Sequence, residues 1–302
     1  STEELNNYEN VKITGQLNTF DYDYLKLARG LKGLDLTDLD MNTIPASAFS
    51  GSSLQTVLLP KNLVIIPSRA FYQSEITSIK IPETVTEIGE YAFYQCKQIR
   101  GDLVIPSNVE SIGAYAFQEC TFDEELVLSS SLQEIKDYTF MGCSYFNGKL
   151  SIPNSVKIIG VRAFEKCMLL TQLSLSENLI IIKEYAFLDC QSLQGNLIIP
   201  DNVQRIEQHA FSNCKNFDGN LVVGSAVESI GNWAFVNDGG VPLKFDKVYS
   251  KALEPPVPYF GGSGFSSFFN GGIQYLGIPI GCREKYFRNQ YWRAKIIEEM
   301  EF

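Results

Sequence analysis

The chain has 302 residues, 45% of them hydrophobic, with a formal net charge of −10. So acidic a chain lacks the broad basic face that general nucleic-acid binding requires. It contains no run of about 18 apolar residues, the length a membrane-crossing helix needs. It opens at Ser1 without a leader pattern, as a mature or trimmed start would.

Residues 1–43 read as an N-terminal cap. Val11-Lys12-Ile13-Thr14 has the pattern of a strand. Thr19 to Leu31 predicts a short helix with Phe20, Tyr24, Leu25 and Leu27 facing inward, stopped at Gly30. Leu31, Leu34 and Leu36 then supply an atypical first strand.

Residues 44–245 are repetitive. Phe49, Phe71, Phe93, Phe117, Phe140, Phe164, Phe187, Phe211 and Phe235 follow one another at spacings of 22, 22, 24, 23, 24, 23, 24 and 24. Such a period is the mark of a solenoid, in which each unit buries its inner residues only against its neighbours. Aliphatic pairs sit eight and five residues before each Phe, for example Val85/Ile88, Val109/Ile112 and Val156/Ile159. Short alternating runs such as Leu103-Val104-Ile105-Pro106 and Leu197-Ile198-Ile199-Pro200 predict strands with their first and third residues inward. Proline, lacking an N–H, closes each strand. Val-x-x-Ile returns along a second side, and Ala-Phe-x-x-Cys is expected to form one tight helical turn. Stacked at about 4.8 Å per coil, nine Phe would form a column roughly 38 Å long.

Six of the seven cysteines, Cys96, Cys120, Cys143, Cys167, Cys190 and Cys214, fall three residues after the Phe of their coil. In-register side chains on a parallel stack point the same way, whereas a disulfide wants Cβ atoms about 3.5–4.5 Å apart and turned toward each other. These cysteines are therefore expected as small buried apolar residues. No Cys-x-x-Cys pair points to a metal. Cys282 stands apart, free or reactive.

Residues 246–302 read as a C-terminal cap. Pro255, Pro256 and Pro258 break the repeat, and Phe260–Gly272 reads as an irregular Gly/Ser/Phe loop. Ile273 to Pro279 predicts a last strand. Gly281 to Trp292 predicts an amphipathic helix anchored by Tyr286, Phe287 and Trp292, placed so as to block edge-to-edge sheet pairing.

The pattern Leu-x-Ile-Pro-x-x-Val-x-x-Ile-Gly-x-x-Ala-Phe-x-x-Cys, matched nearly throughout by residues 103–120, resembles the BspA-like leucine-rich repeat of bacterial cell-surface proteins. The segment from Pro279-Ile280-Gly281-Cys282 through Tyr286 and Trp292 is similar to the closing segment common in such proteins. Leu128-Ser129, Leu175-Ser176 and Val223-Gly224 depart from the pattern by lacking the proline, and the Phe49 and Phe71 coils by lacking the cysteine. The resemblance implies a right-handed leucine-rich-repeat solenoid of parallel β-strands with caps at both ends. It also implies export, attachment to the cell surface and, in some members, adhesion to host matrix proteins or other bacteria.

Signatures of catalysis are thin. His209, the one histidine, occupies the repeat position held elsewhere by Tyr91, Tyr115, Tyr138 and Tyr185, a poor setting for the converging partners of a triad or metal cluster. No phosphate-binding loop or dinucleotide fingerprint is present. Gly261-Gly262-Ser263-Gly264 lacks the strand–turn–helix context of a nucleophile elbow.

Three surfaces are candidates for binding. The column two residues before Phe reads Ser47, Arg69, Tyr91, Tyr115, Tyr138, Arg162, Tyr185, His209 and Trp233. It is either an aromatic recognition stripe or simply the repeat's packing residue. The outward column of the main strand reads Leu58, Lys80, Val104, Val127, Ser151, Ser174, Ile198, Val222 and Lys244. Its apolar pairs, like Ile158/Ile181 on the return strand, are either a partner site or β-propensity filler. The Phe260–Phe269 loop is the third candidate, alternatively packed under the cap. The expectation is a non-enzymatic, exported binding protein without cofactor, taking a host matrix or other cell-surface protein as ligand, or a glycan in the alternative of nutrient capture.

Overall fold

The computed structural model describes residues 2–259 and 273–302. Contacts cluster into two units, Ser1–Asn147 and Gly148–Phe302, each a stack of coils joined by parallel strands.

In Ser1–Asn147, the strands Asn10–Lys12, Gly33–Asp35 and Thr56–Leu58 pair in that order, with Val11, Leu34 and Val57 in register. Leu103–Val104 pairs with Leu126–Val127. On the return side, Ile65–Ile66, Glu87–Ile88 and Ser111–Ile112 stack with Ile66, Ile88 and Ile112 in register and buried. The Phe49, Phe71, Phe93, Phe117 and Phe140 rings follow at 5.2, 5.0, 5.0 and 5.5 Å between centroids. These spacings lie close to the ladder repeat of about 4.8 Å, and from Phe71 onward successive ring planes are within 5° of parallel.

The helix of the N-terminal cap spans Thr19–Leu27, opened by a capping box between Asn18 and Asp21. The face it buries is that of Tyr22 and Leu25, and the Tyr22 ring lies 5.7 Å from Phe49, closing the end of the Phe column. The inward assignment of Phe20, Tyr24 and Leu27 is thereby corrected: all three are exposed, Phe20 at 75%. Helical periodicity admits either stripe; the ring that reaches Phe49 decides between them. Leu25 is inward as expected.

The Ala-Phe segment is built from overlapping i→i+3 turns. In the Phe71 coil, Ala70, Tyr72 and Ser74 donate their amides to the carbonyls of Pro67, Arg69 and Phe71. The alternate amides, of Arg69, Phe71 and Gln73, donate to Glu90, Ala92 and Tyr94 of the next coil. The geometry requires a left-handed residue two places before the Phe and another two places after it, here Arg69 at φ 57° and Gln73 at φ 53°. The Gly of Ile-Gly has a different cause. A Cβ on Gly113 would stand 2.3 Å from the Glu90 amide nitrogen of the coil before, so glycine lets the two backbones approach this closely here.

The cysteines stitch the coils together. The thiols of Cys96, Cys120, Cys143, Cys190 and Cys214 donate to the carbonyls of Phe71, Phe93, Phe117, Phe164 and Phe187 at 3.0, 2.9, 3.0, 3.1 and 3.2 Å. All seven cysteines are free and buried, Cys282 included. Where the first two coils lack the Cys, buried Ser52 and Ser74 take its place.

In Gly148–Phe302, Gly148–Ser151 pairs with Leu170–Ser174. A five-stranded parallel sheet runs Leu197–Ile198, Leu221–Val223, Val248–Ser250, Ile273–Pro279 and Ala294–Met300. Return strands Ile158–Ile159, Ile181–Ile182, Arg205–Ile206, Ser229–Gly231 and Val257–Tyr259 pair in the same order. Pro258 lies on the edge strand of that ladder, where a missing N–H is tolerated. The Phe164, Phe187, Phe211 and Phe235 rings stack at 5.3, 5.1 and 5.8 Å. Strand pairing thus continues beyond residue 245.

The C-terminal segment differs from expectation in three ways. Ile273–Pro279 is not the last strand, because Ala294–Met300 pairs beyond it. The helix is shorter, Arg283–Arg288. Phe287 is no anchor but 75% exposed. Tyr286 and Trp292 are the anchors, edge to face at 5.5 Å, with Trp292 Nε1 donating to Pro256 O at 2.9 Å and Tyr286 Oη to Ala252 O at 2.8 Å. The sheet edge is therefore a strand rather than a helix. Exposed Lys295, Glu298 and Glu299 charge it, and Arg283 donates to the Ile297 carbonyl at 2.7 Å. The Phe260–Gly272 loop, with its candidate binding residues and glycine motif, lies outside the described residues.

Candidate functional site

Each unit carries an aromatic ladder on the column two residues before Phe, and each ladder starts with an arginine. In Ser1–Asn147, the Arg69 guanidinium lies 5.4 Å from the Tyr91 centroid. Tyr91 and Tyr115 stack at 4.7 Å and 5°, and Tyr115 and Tyr138 at 4.6 Å and 9°. Beside them Tyr72 stacks on Tyr94 at 5.0 Å, and Tyr94 meets Tyr91 edge-on at 5.5 Å. In Gly148–Phe302, the Arg162 guanidinium lies 4.2 Å from the Tyr185 centroid. Tyr185 stacks on His209 at 4.9 Å, and His209 meets Trp233 edge-on at 5.4 Å. Arg162 is held from behind by buried Glu165, Nη1 to Oε2 at 2.6 Å.

Every ladder residue sits at positive φ, between 54° for Arg162 and His209 and 61° for Tyr138. A non-glycine residue there costs roughly 1–2 kcal/mol. Stacking and cation–π contact, each about 0.5–1.5 kcal/mol, offset that cost. Stacking also covers the sides that successive rings turn to one another, and the rings are half-buried. Burial and the adjacent Tyr138 and Tyr91 phenols push Tyr115 above the ordinary phenol value, with Asp137 and Glu90 adding to the effect. Burial likewise lowers His209, against the pull of Glu184, so its imidazole is a neutral member of the stack at pH 7.

The outward strand faces form the second array. Val104 and Val127 are in register and exposed, Val104 at 53%. In the other unit Ile198, 56% exposed, is in register with half-buried Val222, and Val222 with Tyr249. Tyr249, and not Lys244, continues this column. It is in register with Gly277, where a Cβ would stand 2.5 Å from Tyr249 Cδ1 and 2.8 Å from Met300 Cε. Glycine there makes room for both side chains. The Tyr275 and Phe302 rings flank Tyr249 at 5.9 and 6.3 Å. Tyr275 donates to Glu298, which pushes its phenol up to about 12 with burial assisting, and Lys247 Nζ lies 4.6 Å from its ring.

The family model described as "BspA type Leucine rich repeat region (6 copies)" matches residues 3–100, 28–147 and 110–241. The chain belongs to the BspA-type leucine-rich repeat family.

No curated protein matches the chain. Three solved structures are similar to it in fold. The pneumococcal vaccine antigen PcpA is 17% identical, with 89% of this chain and 80% of that chain covered and a TM-score of 0.44. A leucine-rich repeat protein from Bacteroides ovatus ATCC 8483 is 18% identical, over 96% and 92%, with a TM-score of 0.43. A leucine-rich cell surface protein from Faecalibacterium prausnitzii A2-165 is 22% identical, over 88% and 89%, with a TM-score of 0.40.

In this BspA-type repeat protein the sequence-predicted site residues fall into coherent sets within each unit. Tyr91, Tyr115 and Tyr138 form one ladder, and Tyr185 and Trp233 belong to the other through His209. Val104 meets Val127, and Ile198 meets Val222. Tyr249, Tyr275, Met300 and Phe302, which the repeat pattern does not point to, adjoin the Ile198–Val222 pair. Val248-Tyr249-Ser250 has the same inward–outward alternation as Leu221-Val222-Val223, a sequence signal for Tyr249. Among the described residues no group of three or more His, Cys, Asp or Glu is placed to hold a metal ion, and no helix is long and apolar enough to cross a membrane.

Proposed function

We propose that the chain is a non-enzymatic, exported cell-surface protein that binds another protein, a host matrix or cell-surface component, through the outward strand face of Gly148–Phe302. The observation that supports this reading is the register Ile198–Val222–Tyr249, widened by Tyr275, Met300 and Phe302. Isolated exposed valines on a strand need no explanation beyond β-propensity. A patch combining aliphatic, aromatic and methionine side chains has the composition of an interface centre. The Val104–Val127 pair is the smaller counterpart in the other unit.

The tyrosine ladders are the weaker candidate, because sugars stack on open ring faces and here Tyr91, Tyr115 and Tyr185 lie between stacked neighbours, a ring or an arginine on each side. The test is a panel of immobilised matrix proteins and a glycan array, probed with the unmodified chain, Ile198→Lys and Tyr249→Ala. Saturable binding to a protein, lost in both variants while thermal unfolding is retained, is the expected result. Sugar binding that disappears on Tyr115→Ala would overturn this choice of face and ligand. Fractionation of the producing cells checks export, and a chain confined to the cytoplasm would sink that part.

A further inference from the structure

The tyrosines of the Ser1–Asn147 ladder are arranged for a reaction that binding does not use. Tyr91, Tyr115 and Tyr138 hold successive rings 4.6–4.7 Å apart and within 9° of parallel. Tyr72 and Tyr94 repeat the arrangement at 5.0 Å and 10°. Each of these rings is partly open to solvent, and the turn backbone fixes its position, three of the five residues being held at φ 56–61°. From this geometry we infer that the ladder is a site of oxidative modification, at which a one-electron oxidant joins in-register tyrosines of adjacent coils as dityrosine.

The chemistry balances with the oxidant supplied from outside, as a haem peroxidase acting with hydrogen peroxide. Each of two neighbouring phenols loses its hydroxyl hydrogen as one proton and one electron, giving two phenoxyl radicals. The radicals couple through a new carbon–carbon bond between ring positions ortho to the oxygens. The two ortho hydrogens then move to the oxygens and restore both hydroxyls. The net loss is two protons and two electrons per link, and one hydrogen peroxide takes them up to form two waters. Holding the rings in register supplies as an effective concentration what free tyrosines must find by diffusion. The other unit lacks the arrangement, since Tyr185 stacks on His209 and Tyr249 meets Tyr275 edge-on at 66°. The result of coupling is a covalent clasp between coils 22 to 24 residues apart in sequence.

The test treats the dilute folded chain with a haem peroxidase and hydrogen peroxide. It then measures dityrosine fluorescence of the monomer band and maps cross-linked tryptic peptides by mass spectrometry. The expected products are monomers whose peptides carrying Tyr115 and Tyr138, Tyr91 and Tyr115, or Tyr72 and Tyr94 are joined with loss of two hydrogens. Tyr115→Phe keeps a ring in the stack and so keeps the fold. It should abolish the first two links and leave the third. The same treatment in denaturant should lose all three. Cross-links found chiefly between molecules, through exposed Tyr8, Tyr24 or Tyr145, would overturn the inference. So would a Tyr115→Phe monomer as fluorescent as the unmodified one.

Discussion

Cys143 Sγ donates to the carbonyl oxygen of Phe117, one coil back, at 3.0 Å, and that carbonyl also accepts the Cys120 amide at 3.1 Å. The thiol thus ties a coil to the backbone of its predecessor and fills the space beside the Phe column. Cys96, Cys120, Cys190 and Cys214 do the same. Thiols so placed are neither exposed nor ionised, and the thiolate is the reactive form. The folded chain should not react with a thiol-specific disulfide reagent at neutral pH, and reactivity should appear with the unfolding transition. Cys143→Ala should cost about 1–2 kcal/mol, from the lost sulfur volume and hydrogen bond, read from a urea titration.

The same burial predicts alkaline instability. Burial raises the Cys120, Cys143, Cys190 and Cys214 thiols above their ordinary value of 9.0. In the unfolded chain these groups release protons near that pH, while in the folded chain they hold them. The stabilisation they provide is complete below pH 9 and is lost as pH rises above it, on the order of 1 kcal/mol per thiol for each further pH unit. Tyr22, pushed up to about 12 by burial, adds to the loss above pH 10. The midpoint of urea unfolding should therefore fall from about pH 9 upward, and replacing Cys143 and Cys190 together with Ala should flatten that fall.

Two glycines separate backbone contact from backbone conformation. Gly113→Ala puts a Cβ 2.3 Å from the Glu90 nitrogen, against a neighbouring coil that cannot move aside alone. It should destabilise by about 1–3 kcal/mol, as overpacking does. Gly101→Ala meets nothing within 4 Å but keeps φ at +81°, so its cost is conformational, roughly 1–2 kcal/mol. Gly101→Asn, which tolerates the left-handed region better, should recover part of that loss, whereas Gly113→Asn should recover none. Thermal unfolding of the four variants checks both statements.

The C-terminal segment offers a prediction about anchoring. Tyr286 Oη lies 2.7 Å from Ser250 Oγ and 2.8 Å from Ala252 O, all buried. Tyr286→Phe retains the ring against Trp292 and leaves two polar partners unsatisfied, at about 1–3 kcal/mol. Trp292→Ala removes a fully buried ring and should cost about 3–5 kcal/mol. Phe287→Ala, at a side chain 75% exposed, should change stability by no more than about 0.5 kcal/mol. Hydrogen exchange of Ala294–Met300 amides should rise in the first two variants and not in the third.

The repeat was legible because its cause is local and multiplied. A coil of 22 to 24 residues survives only if each inward position meets its like in the next coil, so Phe, Cys, Ala and the Val-x-x-Ile pairs recur in step and their burial follows from spacing alone. The composition of the Tyr91–Tyr115–Tyr138 column was legible for the same reason. Where copies end, that reasoning ends with them. The period lengthens after Phe235, so spacing alone points to Lys244 as the neighbour of Val222, whereas the register gives Tyr249. In the capping helices a stripe such as Phe20, Tyr24 and Leu27 states that a helix is amphipathic without stating which element it lies against.

The sequence by itself determined that the chain coils, what lines the core, which family it belongs to, and that six of its seven cysteines share one environment. Tertiary structure alone decided that the turns at Phe49 through Phe211 each run through two left-handed residues, that successive tyrosine rings stack on each other, and that Gly277 makes room for Tyr249 and Met300. The physical reason is one of range: inward packing repeats along the chain and leaves a periodic trace. Backbone handedness, ring orientation and the seating of a cap depend on contacts between residues that share no period.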